Sequence, residues 1–119
     1  MAVRAPHCLQ IITLAGAGLL AGCLEPREHA DLPAVSPQMA AWAATQWPDA
    51  SPAQLGHGRE TMESHCTSCH GMPSPLHETA KDWPDVMQDM AGNAKLGAGD
   101  EAAMLRYILS ARNALTEHG

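Results

Sequence analysis

The chain has 119 residues, 13 acidic against 7 basic side chains, and a net charge of −6 at neutral pH. That length allows one domain, and the acidic balance argues against nucleic acid and anionic lipid as partners. Phenylalanine is absent and the aromatic set is three tryptophans and one tyrosine, so a core built from protein alone is thin and the domain needs a staple.

Residues 1–22 have the pattern of an export segment rather than of part of a fold. Arg4 supplies a positive start, and Leu9 to Leu20 is a mostly apolar stretch of signal-sequence length, too short for a mature membrane span. It ends in Leu20-Ala21-Gly22-Cys23. Small residues before a cysteine at that point resemble the cleavage box of bacterial lipoproteins. The resemblance implies removal of residues 1–22 as a lipoprotein signal peptide, with lipid on Cys23 as the new first residue. Several acyl chains on one cysteine anchor stably where one binds only marginally. The implied location is the periplasmic face of a bacterial membrane, and Leu24, which is not an acidic retention residue, favours the outer membrane. An ordinary secretory signal with a chance cysteine is the alternative, and it also takes the chain out of the cytoplasm.

Residues 23–38 contain Pro26, Pro33 and Pro37, several charges and little periodicity, the composition of a tether. The domain is expected over residues 39–119. Met39 to Trp47 is alanine-rich and suits a short helix stopped by Pro48, its tryptophans covering the domain. Ser51-Pro52 opens a clearer helix, with serine as cap and proline in the first turn. Leu55, Met62 and two cysteines ride on it. Gly58 in its middle costs roughly 1 kcal/mol relative to alanine, which predicts a close crossing by a second helix there.

That helix leads into Cys66-Thr67-Ser68-Cys69-His70, the C-x-x-C-H sequence that attaches a c-type haem. A one-turn spacing lets a single segment present both thiols to two vinyl groups, forming thioethers. His70 follows directly, and a neutral imidazole is the usual proximal ligand of haem iron. A zinc site needs a second ligand pair, but the other cysteines, Cys8 and Cys23, are far upstream. A thioredoxin-like dithiol needs a βαβ context, and no strand-like run occurs. One covalently attached haem c is therefore the expected cofactor, and no thiol is left for a disulfide.

Gly71 to Pro75 reads as a loop, and the carbonyl of Pro73 or Pro75 can accept a hydrogen bond from His70, fixing its ring. Thr79 can cap a helix to about Ala91, with Trp83, Val86, Met87 and Met90 at i, i+3, i+4 and i+7 on one face and Gly92-Asn93 ending it. After a turn at Gly97 to Gly99, a final helix runs from near Asp100 to about Asn113. Its apolar face is Met104, Leu105, Ile108, Leu109 and Leu115. Ser64 and His65 lack the third group a nucleophile–base pair requires.

These residues together resemble a class I monohaem cytochrome c. The match is carried by Leu55-x-x-Gly58 and Met62, then Cys66 to His70, then Trp83-x-x-Val86-Met87-x-x-Met90, then Leu105-x-Tyr107-Ile108-Leu109. The resemblance implies an all-α fold of three to four helices around one haem, with the Gly58 helix crossing the Tyr107 helix. It also implies a methionine on iron opposite His70. In small members that methionine ends the W-x-x-V-x-x-x-M segment, which is Met90 here. Met87, one turn away, is the second choice, and His57, His77 or an open position remain. Met72 lies on the histidine side of the haem and Met104 inside the final helix. Two filled axial positions leave no vacancy for a small-molecule substrate. The expectation is thus a membrane-tethered single-electron carrier serving redox proteins, not an enzyme. A haem subunit of a larger membrane-associated dehydrogenase or reductase complex is the alternative, followed by a haem sensor or enzyme with an open sixth position.

Overall fold

The computed structural model describes residues 30–67 and 70–118. Their regular structure is all helical: α1 (Pro37–Gln46), α2 (Pro52–His65), α3 (Trp83–Asn93) and α4 (Ala98–Glu117). Cys8, Cys23 and Cys69 lie outside the described residues, as does the whole export segment. Among the described residues no helix is long and apolar enough to cross a membrane.

The starts of α1 and α2 are set by side chains. Ser51 Oγ accepts the Gln54 amide at 3.1 Å, and Pro52 follows in the first turn. Ser36 does the same for α1, accepting the Met39 amide at 3.1 Å ahead of Pro37. A serine cap satisfies one of the orphan amides of the first turn, and the proline has no amide to lose there. α1 therefore starts at Pro37, inside the span expected to be tether. Thr79, expected to cap α3, instead closes the turn before it, its Oγ1 accepting the Asp82 amide at 3.2 Å; the N-cap of α3 is Asp82, which makes no side-chain capping bond. Residues 80–82 form a turn before regular helix begins at Trp83.

Two ends differ from the sequence expectation. Gly92 and Asn93 lie within α3, and the stop is made by Lys95, whose φ is 56°. Leu96 N donates to Ala91 O at 2.9 Å and Lys95 N to Gly92 O at 3.2 Å, the paired bonds of a helix closed by a left-handed residue. α4 continues past Asn113 to Glu117. Its last turn is tied to α1 by Gln38 Nε2 donating to Glu117 Oε2 at 3.1 Å, and by His118 Nε2 donating to Gln38 Oε1 at 2.8 Å. Leu115, expected on the apolar face, is exposed.

α4 is the hub, packing against each of the other three helices and most extensively against α2. At that crossing Gly58 is in the position its sequence predicts. A Cβ there would overlap the Ala103 carbonyl oxygen and come within 2.9 Å of Met104 N. The missing side chain lets the two backbones meet. Tyr107 lies one turn beyond, fully buried.

Methionine replaces the absent phenylalanine as core filler. Met39, Met62, Met72, Met87 and Met104 are all buried, together with Trp83, Tyr107 and Ile108. Each such side chain contributes roughly 1.5–3 kcal/mol of burial free energy, and the unbranched thioether fits irregular gaps. The two buried hydroxyls bond back along their helices, Thr61 Oγ1 to His57 O at 2.8 Å and Ser110 Oγ to Arg106 O at 2.7 Å. This satisfies them without a partner from another element.

Residues 30–36 run extended over this core. Leu32 is buried within it. Arg59 donates from Nε to Pro33 O and from Nη2 to Leu32 O, both at 3.1 Å. Tyr107 donates its hydroxyl to Pro33 O at 2.6 Å, and Ala30 N donates to Met72 O at 3.0 Å. The chain before α1 is thus a strap fastened to α2, α4 and the loop of residues 71–79, the 70s loop.

Candidate functional site

The α2 helix ends on its own C-cap residue, Cys66, whose amide donates to Met62 O at 2.9 Å. The thiol is half-buried, and burial pushes its pKa above the ordinary value. Among the described residues no group of three or more His, Cys, Asp or Glu side chains could hold a metal ion.

His70 leaves the helix end at the start of the loop, exposed. Its Nδ1 donates to the carbonyl of Gly71 at 2.8 Å. A carbonyl only accepts, so Nδ1 carries a proton here, and in the neutral ring Nε2 is then the nitrogen that could bind a metal. The proline carbonyl expected in this role is engaged elsewhere in one case. Pro75 O accepts the buried Trp83 Nε1 at 3.0 Å, pinning the loop to the start of α3. The neighbouring glycine carbonyl is the partner of His70 because it lies within the same turn of chain.

Two cavities adjoin at this point. One, of about 420 Å³, lies between the 70s loop and α3 and is lined by His70, Met72, His77, Trp83, Val86 and Met90. The other, of about 340 Å³, lies between the end of α2 and the α3–α4 turn and is lined by His65, Cys66, His70, Met90, Leu96 and Met104. Both volumes fall in the range of cofactor pockets. His70 and Met90 are common to both.

The α3 stripe divides at this site. Met87 and Ala91 turn into the core, Val86 and Met90 line the cavity, and buried Trp83 belongs to both. Met90 is the one methionine among the described residues that is not buried. Met87 is fully buried and lines neither cavity. His57 is held away by Asp100, Nε2 to Oδ1 at 2.7 Å, whereas His77 lines the larger cavity beside Glu78. Met104, expected to be core, is both buried and part of the cavity wall.

Sequence reasoning missed Leu96 and the strap residue Ala30, which also line the cavities. Leu96 carried a signal in being the apolar residue just after the helix stop. Ala30 carried none.

The chain matches no protein-family model, no curated protein and no solved structure.

Proposed function

We propose that this chain is an exported, lipid-anchored c-type cytochrome of class I type that carries single electrons between redox proteins at a membrane. The observation that carries the reading is the pair of cavities sharing His70 and Met90, with Cys66 of the C-x-x-C-H sequence on the wall of one. The donor set fits a haem: thiol, imidazole and thioether, beside the apolar side chains of Trp83, Val86, Leu96 and Met104. Bound haem supplies an iron that changes reversibly between ferric and ferrous.

The residues divide the remaining work. Cys66 and Cys69 hold the group covalently. His70 binds iron through Nε2, oriented by the Gly71 carbonyl. Met90 offers the sulfur ligand, and a thioether raises the potential relative to a second histidine. Val86, Leu96 and Met104 exclude water, which lowers the local dielectric and strengthens electrostatic effects on the iron. Lipid on Cys23 confines the carrier to the membrane surface.

A reduced-minus-oxidised spectrum of membranes from producing cells, followed by a pyridine haemochrome assay, tests this. Covalent haem c in the membrane fraction, with no carbon monoxide binding at neutral pH, is the expected result. A membrane fraction without covalent haem overturns the reading, and ready carbon monoxide binding replaces the carrier with a sensor or enzyme.

A further inference from the structure

The two cavities that share His70 and Met90 differ in their walls. The smaller has Cys66 beside Leu96 and Met104, and the larger has Ser74, His77 and Glu78 on the side of the 70s loop. A haem is asymmetric in the same sense, with its two vinyl groups on one edge and its two carboxylates on the opposite edge. Cys66 lines the smaller cavity only, so the thioether edge belongs there, together with His65, which precedes Cys66 in the chain. The carboxylate edge then falls to the larger cavity, on the other side of His70 and Met90.

On that wall His77 is the one side chain, apart from His70, that can carry a positive charge. Its turn is fixed. His77 N donates to Ser74 O at 2.9 Å, Leu76 N donates to Ser74 Oγ at 3.2 Å, and Trp83 Nε1 holds the Pro75 carbonyl. Glu78 Oε1 lies 3.5 Å from His77 Nε2. From α4, Arg112 Nε donates to the Glu78 carbonyl at 3.0 Å. α3 lines the cavity with uncharged Trp83, Val86 and Met90, with Asp85 and Asp89 next to them in the chain, and the strap contributes Ala30 alone.

We infer that His77 is the charge partner of the haem carboxylates, and that it takes up a proton as the haem takes up an electron, so that the potential of the carrier depends on pH. This inference rests on the reading of the chain as a cytochrome. A carboxylate beside an imidazole favours its protonated form, and an electron added at the haem removes a positive charge and favours that form further. One electron comes from a one-electron donor, a reduced redox protein or in the test an electrode mediator. Neutral His77 takes up to one proton from the solvent, and no other group is transferred.

The test is a redox titration of the full haem protein from pH 5 to pH 8, the range in which histidine changes charge. At a fixed electrode potential the ratio of reduced to oxidised haem is expected to fall at least ~3-fold over that range, about 30 mV at 59 mV per tenfold for one electron. The His77 side chain is 68% exposed, so its replacement leaves the core intact. His77→Gln is expected to stay near the parent's pH 8 ratio throughout. His77→Lys is expected to stay near the parent's pH 5 ratio, because lysine keeps its proton over this range. His57→Gln, bonded to Asp100 and lining neither cavity, should behave as the parent does. A parent ratio that does not move with pH, or a parent-like fall in His77→Gln, overturns the inference while the cytochrome reading stands. Loss of the methionine-to-iron charge-transfer band in His77→Gln also overturns it, by making His77 an influence on the iron ligands instead. Absence of covalent haem removes the cytochrome reading and this inference with it.

Discussion

The two halves of the domain are closed in different ways. Where α2 crosses α4, backbone meets backbone: Gly58 seats against Ala103 and Met104, and no space is left for a methyl group. Where the 70s loop and the end of α2 face α3 and the turn after it, the walls stand apart around two cavities, and His70 and Met90 line both. The first half is complete as protein. The second has the shape and donor set of a half completed by something else. On the proposed reading, a small chain lacking phenylalanine holds a rigid frame on one side and gives its other side to a cofactor.

The sharpest way to break the closed half is at the crossing. Gly58→Val drives a branched side chain into the Ala103 carbonyl, which belongs to α4 backbone and cannot step aside. Overpacking of that kind costs about 3 kcal/mol or more, a fall in Tm of at least about 12 °C for a domain of this size. A Cβ at Gly56, on the same helix, would meet nothing within 4 Å, so Gly56→Ala should instead gain up to about 1 kcal/mol from helix propensity. Equal losses at both positions would show that the crossing is not the source.

The open half is sharpened by a pair of methionines one turn apart. Met87 is fully buried, so Met87→Ala should cost about 2–5 kcal/mol in denaturant unfolding and leave the methionine-to-iron charge-transfer band in place. Met90→Ala should cost about 1 kcal/mol or less in packing and abolish the band. A band that survives Met90→Ala removes Met90 as the ligand.

The smallest effect comes from the strap. Burial pushes the Tyr107 hydroxyl from 10.0 up to about 12. Its neutral form is favoured in the fold, so the stability it contributes is whole below pH 10 and is lost as pH rises from there through about 12. Tyr107→Phe removes the bond to Pro33 O. Arg59 still donates to that carbonyl, so the loss at neutral pH should be no more than about 1 kcal/mol. The variant should also show a flatter decline in stability near pH 11 than the parent. An identical alkaline decline in the two proteins would place its cause elsewhere.

Much of the frame was legible because it depends on local chemistry. Ser51-Pro52 marked the start of α2, and Gly58 announced a crossing because a mid-helix glycine needs a packing reason. The same serine–proline pair at Ser36-Pro37 was hidden among the prolines of an apparent tether. What makes that stretch a strap is not its own pattern but Arg59 and Tyr107 reaching its carbonyls from α2 and α4, a long-range fact. Lys95 in the left-handed region could not be read either, since neighbouring Gly92 and Asn93 were the more ordinary stops. At the candidate site, spacing put Met87 and Met90 on one stripe. Which of them faces the core and which the cavities depends on how α3 is rotated against α4, and periodicity does not specify that.

The central claim is a haem tied by sulfur beside His70. Intact-mass and peptide mass spectrometry of the native membrane-extracted protein tests it most directly. The account predicts one haem on the peptide carrying Cys66 and Cys69, and lipid on Cys23. A native protein with both Cys66 and Cys69 as unmodified thiols would contradict it.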